Sequence, residues 1–475
     1  MIEEPSNFTE RSFRALADQG LQAALAGLPG GLVKQRSMAK ARLPEFEAMR
    51  VVARDIRDHT IANLDAYLDV FAERAMAAGS HVHWARDGLE ARAIILEICK
   101  AAGARLVTKG KSMVSEEIAL NDHLVAAGIE VVETDLGEYI VQLRGERPSH
   151  IIAPAIHLTE PQVEAEFRRK HAHLPIDRRF ADAADLVAEA RAVLREKFLA
   201  ADVGITGANF LVAETGSVVL VTNEGNGDLT AQLPRVHIAL ASIDKVVPTL
   251  EDTAALLRVL ARSGTGQDIT AYTSYLTGPR HQRDPDGPLA SHIVILDNGR
   301  SNLLASEFRD ALRCIRCGAC MNHCPVYNAI GGHAYGGVYA GPIGAVLTPA
   351  FSGIAAAHDL PSASTLCGRC EDVCPVKIPL PKLLRRWREA GFAAGATPSR
   401  RRLALWAWAY VAKRPKLYRV VTRLAVAALS ALGGTRGAFG YLPFAGAWTR
   451  SRDFPAPPGR TFQQLFAEQL RRVTR

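Results

Sequence analysis

Cys314, Cys317, Cys320 and Cys324 follow one another at intervals of three, three and four, and the last precedes Pro325. Cys367, Cys370 and Cys374, closed by Pro375, repeat the last three places of that pattern. Three cysteines spaced three apart in a tight turn can present thiolates to three corners of one iron–sulfur cubane. A fourth, set off by the longer step and followed by Pro, points away and ligates a second cluster. Gly318 and Gly368 leave room for backbone amides to approach the sulfides. A zinc ribbon uses four cysteines in two pairs, and seven cysteines with two Cys-Pro endings fit it poorly. All seven lie within 61 residues, and the other 414 hold only Cys99. A disulfide framework would spread its cysteines through a small secreted domain. The pattern therefore predicts iron–sulfur ligands and a chain that moves electrons.

Crossed ligation assigns Cys314, Cys317, Cys320 and Cys374 to a first 4Fe-4S cluster, and Cys324, Cys367 and Cys370 to a second. The fourth ligand of the second is expected three places before Cys367, where the chain has Ser364. Either Ser364 or an outside group completes a 4Fe-4S cluster there, or the cluster is 3Fe-4S. His323, between two of the cysteines, is a possible ligand in principle, but is expected to tune the cluster by a hydrogen bond instead. Cys99 sits among Ile94, Ile95, Leu96 and Ile98, and reads as a buried core thiol.

The surrounding pattern must position these loops. Residues 1–90 read as helical, with Phe46, Met49, Val52, Ala53, Ile56 and Ile61 near helical spacing over Glu45–Tyr67. Ile94–Ala102 continues as a helix that stops at Gly103. A strand at Arg105–Thr108, a helix capped by Ser115 and running to Gly128, and a strand at Ile129–Glu133 make a βαβ unit, so a mainly parallel sheet is expected. A helix covers Asp185–Ala200. Asn209–Glu214 and Ser217–Thr222 read as a hairpin, and Val236–Leu240, Lys245–Val247 and His292–Leu296 as strands. A helix from Ser301 should carry Leu304, Phe308, Ala311, Leu312 and Ile315 on one face and deliver the chain to Cys314. Gly- and Pro-rich residues 325–366 read as loop, and the chain beyond Pro381 as helical. The predicted domains are a helical segment over 1–50, an α/β domain over 51–300, an α-helical ferredoxin-like two-cluster domain over 301–390, and a basic helical tail over 391–475.

Charge divides the chain. Residues 381–475 hold 19 Lys and Arg against 3 Asp and Glu, a charge of +16, while residues 1–380 carry 38 against 46, a charge of −8. With Trp387, Trp406, Trp408 and Trp448, the tail is expected to dock on an acidic partner or on the chain's own acidic body. Peripheral attachment to a membrane surface is the second reading. Nucleic-acid binding is not expected, because no recognised module accompanies the charge. Val420–Leu432 is apolar but short and interrupted by Arg423, and no apolar run reaches the roughly 18–20 residues that span a bilayer. The acidic start Met1-Ile2-Glu3-Glu4-Pro5 shows no signal-peptide pattern, so a cytoplasmic protein in a reducing compartment is expected. No GxGxxG follows a strand, so no tightly bound NAD is expected. Gly225-Asn226-Gly227-Asp228 reads as a turn.

Longer stretches carry a resemblance. Lys111-Ser112-Met113-Val114-Ser115-Glu116-Glu117, Glu133-Thr134-Asp135-Leu136-Gly137-Glu138-Tyr139-Ile140, Ala213-Glu214-Thr215-Gly216, Leu296-Asp297-Asn298-Gly299-Arg300-Ser301 and Tyr339-Ala340-Gly341-Pro342-Ile343-Gly344, with both cysteine motifs, resemble the B-type iron–sulfur proteins of lactate utilisation. The resemblance runs essentially end to end, and Ser364 fits that family's pattern. It implies an N-terminal LUD-type α/β domain with a fold similar to the sugar-phosphate isomerase and CoA-transferase group. It also implies an iron–sulfur subunit of a three-component complex that oxidises L-lactate to pyruvate, inactive alone and working with other subunits. Glu214 occupies a hairpin turn before Gly, as the nucleophilic carboxylate of CoA-transferases does; as an ordinary turn residue it would be solvated. Asp135, Glu138 and Tyr139 could line a pocket or a plain loop. Two readings of function follow: an electron-transfer subunit, or an acyl- or CoA-transfer enzyme with structural or regulatory clusters. The presence of two clusters favours the first, since one would suffice as a staple. No residue is assigned a catalytic role.

Overall fold

A computed structural model describes residues 7–175, 177–442, 446–449 and 452–473. The chain forms two compact units, Met1–Ala394 and Gly395–Arg475.

The first unit is built on a six-stranded sheet of β1 (His81–Ala85), β2 (Leu106–Lys109), β3 (Glu130–Glu133), β4 (Val203–Thr206), β7 (Val236–Ser242) and β10 (Ala290–Leu296). The strand order is β1-β10-β7-β4-β2-β3 and every pairing is parallel. Segments such as Ile238–Ala241 and Ile293–Leu296 are apolar at every position because helices cover both faces. On one face the Gly88–Ala101 helix packs Ala91, Ile95 and Cys99 against Val107, Ile205, Leu240 and Val294. Cys99 is fully buried in that layer, and burial pushes its thiol up to about 12. On the other face lie Leu64, Leu68 and Phe71 of the Leu64–Ala77 helix.

A smaller sheet contains the expected hairpin. β5 (Phe210–Val212) and β6 (Ser217–Thr222) are antiparallel, β9 (Tyr272–Leu276) flanks β6, and β8 (Val246–Val247) pairs parallel to β5. Val212 and Val219 of this sheet share one core with Phe46 and Ala53 of the Phe46–Ala62 helix and with Leu312, Tyr327, Leu347 and Leu383 around the cysteines. The cysteine loops are therefore packed onto the α/β layer through continuous apolar contact.

Several local expectations change. Ser112, not Ser115, caps the helix after β2; its hydroxyl accepts from Ser115 N at 3.2 Å, and the helix breaks at Ala119, whose φ is +49°. The predicted helix over Glu45–Tyr67 is two helices divided at Asn63, and β1 interrupts the helical opening. Residues 301–314 are not one helix. A short helix, Arg300–Leu304, is followed by a 3-10 turn, Arg309–Arg313, which still buries Phe308, Ala311 and Leu312. Residues 325–366 are not mainly loop, because Pro325–Ile330 and Gly341–Ser352 are helices. Pro325 and Pro342 stand in the first turns, where a missing N–H costs nothing, and the apolar residues after Pro342 are buried.

Trp387 belongs to the first unit and not to the basic tail. It stacks on Phe308 with ring centroids 3.9 Å apart and donates from Nε1 to Val346 O at 3.0 Å. In the second unit the Ser399–Ala412 helix buries no residue, and Trp406 and Trp408 are exposed. The side chain of Trp448 lies outside the described residues. The apolar stretch read as short lies within a helical segment, Pro415–Arg436, long and apolar enough to cross a membrane by length and composition, with almost none of it buried.

Every cysteine, and every residue of the core packed around the cysteine loops, lies in the first unit. Ending the chain after Ala394 should leave its iron content and its visible, cluster-derived circular dichroism unchanged. Loss of iron on truncation would show that the second unit helps hold the loops.

Candidate metal centre

The two cysteine loops share one backbone design. Arg316 and Leu366 both adopt positive φ, +59° and +55°, and Gly318 and Gly368 follow at +72° and +85°. Each glycine opens a single helical turn, Ala319–Asn322 or Arg369–Asp372. The turns aim amides at sulfur. Arg316 N donates to Cys314 Sγ at 3.4 Å and Ile378 N to Cys374 Sγ at 3.4 Å. Further N–H groups reach Cys317 from Ala319, Cys324 from Val326 and Tyr327, and Cys367 from Arg369. In the second loop Leu366 N donates to Ser364 Oγ at 3.1 Å. Ser364 thus receives the same amide, two residues on, that Cys314 receives.

Tertiary placement sorts the thiols. Cys314, Cys317, Cys320 and Cys374 line one cavity, walled by Ile151, Ile315, Ile343 and Ile378. Their mutual electrostatics agree: Cys317 senses Cys374 and Cys314, and Cys320 senses Cys314, Cys317 and Cys374. Cys324 senses Cys367, and Cys370 senses Cys324 and Cys367. Cys320 and Cys370 link the two sets. Burial pushes the thiols of Cys317 and Cys320 well up, Cys370 to about 12 and Cys374 to about 11. Cys367 is exposed and held down by the Arg369 N–H and the Thr365 side chain. Thiols that share a cavity and already accept backbone amides fit ligation of a cationic iron–sulfide core, because metal coordination deprotonates a thiol outright. Among the described residues, no three His, Cys, Asp or Glu side chains form a group that could hold a single metal ion.

Three arginines of the N-terminal helices hold these loops. Arg50 donates to Cys374 O at 2.7 and 3.0 Å and to Glu371 O at 3.3 Å. Arg36 donates to Val373 O at 3.0 Å, and Arg57 to Leu312 O at 3.0 Å. Lone arginines on helices gave no sequence signal, because exposed and buried arginines look alike in a string.

A second cavity, of about 250 Å³, lies at the carboxyl ends of the parallel strands and reaches the first loop. Lys111 and Ser112 follow β2, Asp135 follows β3, Gly207 follows β4 and Lys245 follows β7, while Arg316 and Cys317 close the far side. Burial lowers the Lys245 ammonium to about 8, aided by Arg316 and opposed by Asp244 and Cys314. Gly225–Asp228 is not a free turn but enters the short Asn226–Gln232 helix, and Asn226 and Gly227 line this cavity.

The other candidates separate. Asp135 caps the Leu136–Arg144 helix and lines the cavity. Glu138 is buried elsewhere, beside an open cleft with Glu116 and Glu133, and burial followed by Glu133 raises its carboxyl well above the usual range. There Lys109 Nζ is 2.7 Å from Glu133 and 3.1 Å from Glu116. Tyr139 OH instead meets His171 Nε2 at 2.8 Å. Glu214 is exposed, and its Oε2 accepts from Leu250 N at 3.0 Å, a helix-capping contact. His323 pairs Nδ1 with Ala319 O at 2.9 Å.

Three family models match along the chain: the LUD domain over residues 68–296, the 4Fe-4S dicluster domain over 310–378, and the C-terminal region of lactate utilisation protein B over 377–471. The chain is similar to a lactate utilization protein B from Geobacillus sp. (strain WCH70), with 43% identity covering 98% of this chain and 97% of that protein. A lactate utilization protein B from Bacillus subtilis (strain 168) is 42% identical, covering 97% of this chain and 96% of that one. A protein from Escherichia coli (strain K12) named an uncharacterized electron transport protein is 43% identical, covering 97% and 96%.

Gly264 ends the Leu250–Gly264 helix directly against the first cysteine loop. A Cβ there would meet Cys317 O at 2.7 Å, and Asn322 Nδ2 donates to Gly264 O at 3.0 Å. Gly264→Ala should destabilise the unit by about 1–3 kcal/mol through overpacking and lower its bound iron. Calorimetry and iron analysis would check this, and unchanged iron would mean that the loop yields freely.

Proposed function

The chain belongs to the lactate utilization protein B family, and from that premise we propose that it is the iron–sulfur electron-transfer subunit of a complex that oxidises L-lactate to pyruvate. It is an iron–sulfur protein of lactate utilisation, and the finer reading concerns which residues hold which cluster. Cys314, Cys317, Cys320 and Cys374 hold the first; Cys324, Cys367 and Cys370 hold the second, with Ser364 at the fourth place. Bound clusters supply one-electron transfer. The chain's own residues supply amides and buried guanidiniums that stabilise negative charge on the thiolates.

The observation that carries this reading is the gradient in the thiol arrangement. Cys317 of the first set lines the cavity at the strand ends, whereas Cys367 of the second is exposed at the surface. An electron entering near the cavity has a path outward through Cys320 and Cys370. The transfer-enzyme reading rests on Glu214, and Glu214 is exposed and caps a helix. Lactate loses two electrons and two protons, equivalent to a hydride and a proton, and a cluster accepts one electron at a time. A flavin or nicotinamide carrier, the usual hydride chemistry, therefore stands between them, in a partner subunit or in the LUD-type portion over 51–300. The basic second unit is the docking element for those partners, and peripheral membrane contact would use the same exposed surface.

The ligand sets are tested by single substitutions. Cys374→Ala should damage the first cluster and Cys324→Ala the second, read by electron paramagnetic resonance and iron content. Damage confined to each cysteine's own motif would reverse the assignment. A resonance from the oxidised protein that disappears in Ser364→Cys would identify a 3Fe-4S cluster at the second site. Lactate added with the partner subunits should reduce the clusters, and a strain without this chain should fail on L-lactate yet grow on pyruvate. Clusters that stay oxidised, with normal growth on lactate, would defeat the electron-transfer role.

A further inference from the structure

We propose that the cavity between the carboxyl ends of the parallel strands and the first cysteine loop binds a small organic anion, with Lys245 and Arg316 as its charged contacts. Its volume of about 250 Å³ lies below the range of roughly 300–1,000 Å³ usual for larger ligands, which sets the size class.

Lys245 is 6% exposed, yet among the described residues its ammonium makes no hydrogen bond or ion pair. Arg316 is equally telling. Its side chain is 10% exposed, Nη1 has no hydrogen-bond partner among the described residues, and the nearest carboxylate contact, Nη2 to Asp244 Oδ2, is long at 3.8 Å. Arg300 engages Asp244 Oδ1 at 2.9 Å, and Oδ2, the oxygen nearer Arg316, has no hydrogen-bond partner among the described residues. The guanidinium lies over the Tyr339 ring, 4.7 Å from its centroid, which fixes the plane of the donors. Two buried cations with spare donors on one cavity are a liability to the folded chain unless an anion occupies it. Asp135 and Glu224 line the same cavity, so a ligand with a hydroxyl besides its anionic head has an acceptor within the site. Ile152, Leu260 and Ala261 supply apolar wall.

Position gives the site a consequence. Cys317 lines the cavity, so a bound anion adds negative charge next to the first cluster and lowers its reduction potential. That consequence rests on the proposed function; the binding itself does not.

The test uses the full chain with its clusters loaded. L-Lactate, pyruvate and glycerol 3-phosphate are titrated by calorimetry, with inorganic phosphate to distinguish an organic anion from its head group alone. At least one organic anion should bind more tightly than phosphate, and Lys245→Met should weaken it at least tenfold while Lys245→Arg retains most of the affinity. Without ligand, Lys245→Met should melt no lower than the parent, because it removes an unpaired buried charge. Saturating ligand should shift the first cluster's potential downward in the parent and not in Lys245→Met. No binding by any of the organic anions, binding indifferent to Lys245→Met, or a lower melting temperature for that variant would overturn the site. Growth on lactate is scored separately, so a site that fails here leaves the electron-transfer role standing or falling on its own experiment.

Discussion

Arg57 is 1% exposed, and its guanidinium donates to carbonyls from two distant stretches: Asp244 and Val246 beside β8, and Leu312 just before the first cysteine. One side chain on the Phe46–Ala62 helix thereby fixes the distance between the sheet and the cysteine loop. Arg50, two helical turns earlier, does the same for the second loop through Cys374 O. A hydrogen bond from a charged donor contributes about 1.5–3 kcal/mol, and a carbonyl left buried without one carries its full desolvation penalty. The loops themselves are too short to hold position by packing alone, since their helices are single turns. The N-terminal helices therefore set the position of both cysteine loops.

A second set of buried charges ties the cavity to the same frame. Arg300 is fully buried, with Nε 2.9 Å from Asp244 and Nη2 2.7 Å from Glu117; Tyr339 OH and Asn298 Nδ2 complete the Glu117 carboxylate at 2.7 and 2.6 Å. The guanidinium holds both carboxyls below the usual carboxylate range. Such a network is weak evidence for stability, because desolvation offsets much of the Coulomb gain. Its geometric effect is plainer. Glu117 follows β2, Asp244 follows β7, and Tyr339 belongs to the segment beyond the first loop, so one arginine sets the relative placement of three walls. Arg316 is left over from this arrangement, near Asp244 but not paired at close range.

What could be read from the sequence was what depends on neighbours in the chain. Cysteine spacing, the βαβ alternation and the hairpin about Gly216 are local patterns, and each appears as an element. The misreadings came where tertiary burial overrides local signals. Gly341–Ser352 holds Gly and Pro at loop-like frequency, yet its Ile343, Val346 and Leu347 are buried and the helix forms around them. Trp387 looked like one of the tail's tryptophans because it shares their basic surroundings; its ring belongs to the core against Phe308. Lys245 gave no signal at all, since a lysine between Asp244 and Val246 at the start of a short strand reads as solvent-facing, whereas here it ends a 3-10 turn, buried in the wall of a cavity.

The two loops also share one backbone while differing in their surroundings. Their turn residues, positive φ angles and Cys-Pro-Val endings correspond place for place, so backbone amides treat both sets alike. Differences must then come from side chains and exposure, which with net charge and hydrogen bonding set a cluster's potential. The first set lies behind Ile151, Ile315, Ile343 and Ile378, while the second ends at an exposed thiol and a serine. Low-dielectric surroundings disfavour adding an electron to an already anionic cluster, and the nearby guanidiniums of Arg36, Arg50 and Arg316 oppose that effect. Side chains, not the shared backbone, distinguish the two sets of thiols: aliphatic walls and the guanidiniums of Arg36, Arg50 and Arg316 surround the first, while solvent reaches the second at Cys367.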